Sequence, residues 1–113
     1  MIVSTTNNIA GQEIQATLGE VTGIVVRTRG IVGNFAAGLR GILGGDVPEY
    51  QVMVAQARQD AMDEMKSKAR ALGGNAVVGM RFIGSELGQA MSEIVAYGTA
   101  VVVVPIREAN ATK

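Results

Sequence analysis

The chain contains no cysteine, no histidine and no tryptophan among its 113 residues. Without thiol or imidazole there are no disulfides, thiolate nucleophiles, imidazole acid–base groups or Ser-His-Asp triads, and no zinc sites built on those ligands. Two Phe and two Tyr leave few platforms on which bases of a single strand stack. Ten Lys+Arg balance ten Asp+Glu, so no net field draws the chain to nucleic acid or to an anionic membrane. Long apolar runs are missing too. The longest, Ala100 to Val104 before Pro105, is far short of the ~20 residues a spanning helix needs. The start, Met-Ile-Val-Ser-Thr-Thr, has neither the basic region nor the apolar run of a signal peptide. These absences predict a cytoplasmic protein that is not an enzyme and binds neither nucleic acid nor membrane.

What the chain does have is glycine, fifteen in all, and valine-rich text. Gly33, Ala37, Gly41 and Gly45 recur at four-residue spacing. On a helix that spacing stacks small side chains on one face, where a second backbone can approach closely. This segment is read as a loop leading into a short helix capped by Asn34. Residues 2 to 6 are β-prone and end at the turn signal Asn7-Asn8. Gln12 to Thr28, rich in Val, Ile and Thr but interrupted by Gly19 and Gly23, predicts one long strand with bulges or bends.

The strongest local signal begins at Asp46. Asp46 and Glu49 are spaced as a capping box, and Pro48 fits the first helical turn. Tyr50, Val54, Ala57, Ala61, Met65 and Leu72 then fall on one stripe, with Gln56, Asp60, Asp63, Ser67 and Arg70 opposite. Glu64 and Lys68 are spaced as a stabilising i,i+4 pair. Gly73-Gly74 supplies the stop. A strand follows over 75–83, with Ala76, Val78, Met80 and Phe82 assigned to the helix-covered side, then a loop over 84–90. A last strand runs over 91–104 and ends at Pro105; so short a connection predicts an antiparallel pair. The expected fold is α+β: an antiparallel sheet packed on one long helix plus a short glycine-rich helix, in the order β-β-α-α-β-β. Residues 1–106 form the single domain, and 107–113 a polar tail.

Three segments carry the resemblance to a known family: Phe35 to Gly45 (Phe-Ala-Ala-Gly-Leu-Arg-Gly-Ile-Leu-Gly-Gly), Ala69 to Phe82 (Ala-Arg-Ala-Leu-Gly-Gly-Asn-Ala-Val-Val-Gly-Met-Arg-Phe), and Tyr97 to Val101 (Tyr-Gly-Thr-Ala-Val). Together with Tyr50 between the first two, they resemble the YbjQ-like family of bacteria and archaea, which is labelled as heavy-metal-binding. The likeness runs through nearly the whole chain in order. It implies a dodecin-like α+β subunit assembling into a homo-oligomeric ring, expected to be a pentamer, and it implies no established activity or cofactor. Gly41 stands where the family often has Asn or Asp, which removes a polar group beside Arg40. Gly74 stands where Ala is usual.

Candidate sites are few. Asp46 and Glu49 are explained by capping, and Asp60, Asp63 and Glu64 by a solvated helix face. The chain offers carboxylates and carbonyls, not the thiolate and imidazole that soft ions prefer, so no metal ligands are assigned. Gly38 to Gly45 lacks the Gly-Lys-Ser/Thr ending of a phosphate loop, and no lysine precedes Gln51. Arg27, Arg29, Arg40 and Arg81 remain as candidate ligands for a small anion; in a ring they would line a pocket between subunits. Two functional classes stay open: a self-assembling structural or interaction subunit, and a small-anion or metal-ion binding module with sites between subunits.

Overall fold

The structure, a computed structural model, describes residues 1–28, 48–86 and 91–107. Its elements are β1 (Ile2–Val3), β2 (Gln12–Thr28), α1 (Pro48–Ala71), β3 (Ala76–Glu86) and β4 (Met91–Pro105). The four strands form one sheet in the order β1-β3-β4-β2, and α1 packs on one face of it. Among the described residues the order is therefore β-β-α-β-β with one helix. The expected short helix, its Asn34 cap and the Gly33, Ala37, Gly41 and Gly45 stripe lie outside the described residues, as does Asp46.

The expected antiparallel sheet is corrected to a mixed one. β2 and β3 each pair antiparallel with β4, but β1 pairs parallel with β3, Ile2 opposite Ala76 and Val3 opposite Val77. A parallel neighbour needs a long connection, and here the whole of β2 and α1 lies between the two strands. β1 is also shorter than the β-prone stretch that signals it.

β2 spans the predicted bounds. Its ladder with β4 slips twice, once between Ile14 and Ala16 and once between Thr17 and Gly19, leaving Gln15 and Leu18 as the extra residues. Gly23 is not a bulge. A Cβ built there would lie 1.9 Å from the carbonyl oxygen of Ala61, so the bare glycine lets the helix backbone rest on the strand. Ala57, Ala61, Met65 and Ala69 form the buried stripe of α1 and meet Val21, Val77, Met80, Ile94, Ala96 and Ala100 of the sheet. Leu72, assigned to that stripe, is instead half-exposed, because the helix has ended at Ala71. Gly73 adopts φ +91°, and the Gly74 and Gly73 N–H groups donate to the carbonyls of Ala69 and Arg70 at 2.9 Å each. This is the paired-bond stop that a left-handed glycine makes. The Glu64–Lys68 pair forms at 3.2 Å.

β3 departs from simple alternation. Ala76 and Val78 lie on the face away from α1, with Val101, Val103, Ile9 and Ile14, whereas Val77 and Met80 lie under the helix. The switch is a bulge: the pairing jumps from Val78 to Arg81, and Gly79 takes φ +63°. A residue inserted into a period-two pattern turns every later side chain over. The N-terminal segment holds the bulge, since Gly79 N–H donates to Thr6 O at 2.9 Å and Met80 N–H to Ser4 O at 3.0 Å. β3 also runs on to Glu86, so Gly84, Ser85 and Glu86, expected in a loop, are paired strand residues.

Candidate functional site

Arg27 is the last described side chain of β2 and shares the helix-facing side with Val21, Gly23 and Val25. Its guanidinium forms an ion pair with Asp60 of α1, and Asp60 also accepts a hydrogen bond from Gln56 Nε2 at 2.9 Å. Both partners are substantially exposed, so the pair is worth at most about 1 kcal/mol. Arg81 follows the bulge and points to the other face. Its Nη1 donates to Thr5 O at 2.7 Å and to Met80 O at 2.8 Å, tying the N-terminal segment to the strand. Arg27 and Arg81 thus lie on opposite faces of one sheet, and a single chain does not bring them together. Arg29 and Arg40 lie outside the described residues.

Pattern reasoning from the sequence missed Arg58. Its guanidinium carbon lies 5.3 Å from the centroid of the Phe82 ring, a cation–π arrangement joining α1 to β3. No local spacing relates these two residues, so only the folded chain reveals the contact. Arg58 also lines a shallow groove of about 340 Å³ with Gln51, Val54 and Ala55. A second groove of about 440 Å³ runs beside the outer edge of β2, between Glu20, Val21 and Thr22 and the end of α1 at Lys68, Ala71 and Leu72.

Among the described residues, the face opposite the helix divides into a covered and a bare half. Near β1, Ile9 covers Ala76, Val78, Val101 and Val103. Toward the other end, Ile24 pairs with Val95, which pairs with Ile83, so the three stand in one row across three strands. Ile24, Val26 and Ile83 are 50%, 48% and 52% exposed. An isolated exposed valine means little, but neighbouring ones on a flat sheet face make a contiguous apolar patch.

A family model described as "Putative heavy-metal-binding" matches residues 1–104. The donors of the described residues do not fit a soft metal. Cysteine and histidine are missing from the sequence, and among the described residues no three Asp or Glu side chains converge. The thioethers of Met65 and Met80 are sealed in the core beneath α1. A UPF0145 protein of Bradyrhizobium is 52% identical over 107 residues, covering 95% of this chain and 96% of its own length. One from Thermoplasma volcanium is 48% identical over 103 residues, covering 91% and 84%. The crystal structure of a DUF74-family protein of unknown function from Pediococcus pentosaceus superposes with a TM-score of 0.62 at 18% identity, over 92% of this chain and 98% of that one. That last likeness speaks for the fold, while the matches at about half identity run almost end to end. The chain therefore belongs to the YbjQ-like family, also called UPF0145.

Proposed function

We infer that this protein is a non-catalytic subunit of a self-assembling ring, a homopentamer by family likeness, whose role is structural or lies in binding a partner. The observation that carries the reading is the bare apolar row of Ile24, Val95 and Ile83 with Val26 beside it. Among the described residues, one helix covers one face of the sheet and half of the other face has no cover, which a second copy would supply. The elongated form supports the same reading. The Cα radius of gyration is 18.5 Å, against about 13 Å for a compact chain of this size. The seventeen residues of β2 alone account for about 56 Å of length at 3.3 Å per residue.

The second reading is a small-anion or metal-ion binding module with sites between subunits, and its anion form is supported by the placement of Arg27 and Arg81 on opposite faces. Only a neighbouring copy brings such groups toward one another. Native mass spectrometry of protein purified from its own host separates the two. A bare multiple of the subunit mass supports the structural role, a multiple carrying a stoichiometric small ligand supports the binding module, and a bare monomer rejects both.

A further inference from the structure

The sheet has two edges that end differently. β2 occupies one edge, and beyond Gln12, whose N–H donates to Ile9 O, no backbone group among the described residues pairs with its outer side. β3 occupies the other edge, where β1 and the following segment cover Ala76 to Met80 only. Arg81 to Glu86 is open there among the described residues. Exposed edges are normally blunted by lysine, proline or bulges. Neither Gly19 to Thr28 nor Arg81 to Glu86 contains a lysine or a proline, and the β2 bulges sit upstream of Gly19. Both open stretches are left fit for pairing.

We propose that the outer edge of β2 over Glu20–Thr28 pairs in parallel with the outer edge of β3 over Arg81–Glu86 of a second copy, so that the sheet continues from subunit to subunit. The seam rests on the self-assembly reading above and assigns its contact surface. Direction follows from topology. β2 and β3 both run antiparallel to β4, hence in the same direction, and rotation about an axis along the strands preserves that direction. Head-to-tail contacts of this kind close into rings when the rotation closes. β1 already sets a parallel neighbour on this edge of β3, and the incoming β2 continues where β1 stops.

Side chains on the two edges are complementary on both faces. On the helix face, the β2 edge carries the groove between Val21 and Leu72, while the β3 edge carries Phe82, 36% exposed. On the other face, Ile24 and Val26 on β2 meet Ile83 on β3, and the exposed Glu20 lies on the edge that receives Arg81. A two-fold β2–β2 contact would instead leave Phe82 and Ile83 uncovered.

The absence of native cysteine makes the seam directly testable by disulfide trapping. Within one subunit, Ile24 and Ile83 flank Val95 from its two sides, about 9.6 Å apart by two strand spacings, beyond the ~7 Å limit for a disulfide. Ile83→Cys is combined in turn with Thr22→Cys, Ile24→Cys and Val26→Cys to cover the register, and each protein is oxidised and run without reductant. At least one pair is expected to lose its monomer band to a ladder of covalent multimers on a denaturing gel, while each single variant, having no partner thiol across the seam, keeps its monomer band there. The seam is overturned if no pair forms a ladder, or if Ile24→Cys alone cross-links as completely as the pair. The native mass of the unmodified chain tells the failures apart: an oligomer without cross-links removes the seam and keeps the assembly, whereas a monomer removes both.

Discussion

At Gly23 the missing side chain sets the distance between helix and sheet. A methyl group there meets the backbone carbonyl of Ala61 and the amide nitrogen of Met65, which cannot swing aside as a flexible side chain would. Gly23→Ala is expected to push α1 off the sheet and cost at least about 1–3 kcal/mol, read as a lower urea midpoint. Gly84→Ala is the control, since its new methyl meets Ile94 Cδ1 at 3.5 Å and Glu93 O at 4.0 Å, both ordinary contacts. Equal midpoints for the two variants would show that the helix does not rest on Gly23. In the sequence this glycine is indistinguishable from one at a bulge, because both interrupt a valine-rich strand. The arginines differ in the same way: composition marks them as candidates, and the fold then ties Arg27 to Asp60 and Arg81 to Thr5.

Elements were readable where a local signal marks their ends. Gly73-Gly74 stops α1, Pro105 stops β4, and the run from Gln12 to Thr28 is β2. Pairing across the chain was not readable, since nothing in Ile2–Val3 names Ala76–Val77 as its parallel neighbour. For a related reason Ala76 and Val78 are assigned to the wrong face of β3, whereas Met80 and Phe82, past the bulge, lie on the helix side as expected. Periodicity assumes an unbroken pleat, and the bulge at Gly79 breaks it. Asn75 shows how a side chain completes an element. Its carboxamide Nδ2 donates to Val103 O, and Val103 N–H donates to its Oδ1, both at 2.8 Å, extending the β3–β4 ladder by one more pair. Asn75→Ala removes both bonds and is expected to lower stability by about 1–3 kcal/mol. A urea midpoint unchanged from wild type would mean that water replaces the pair without cost.

At the scale of the whole molecule, the described residues form one layer of helix on one face of a long sheet and leave an exposed apolar row on the other. The lack of cysteine and histidine gives a prediction for the family description: Cd²⁺, Hg²⁺ and Cu⁺ should each bind more weakly than micromolar in calorimetric titration. Micromolar or tighter binding would reveal a methionine or carboxylate site assembled between copies. Assembly itself is the central claim, and replacing Ile24 with aspartate should weaken it while leaving the circular dichroism spectrum in place, because Ile24 lies outside the core beneath α1. The most direct measurement is the mass of the unmodified protein in solution, taken by multi-angle light scattering at micromolar concentration. The account predicts a multiple of the 11.7 kDa chain, fivefold if the ring is the expected pentamer. A particle of 11.7 kDa would contradict it.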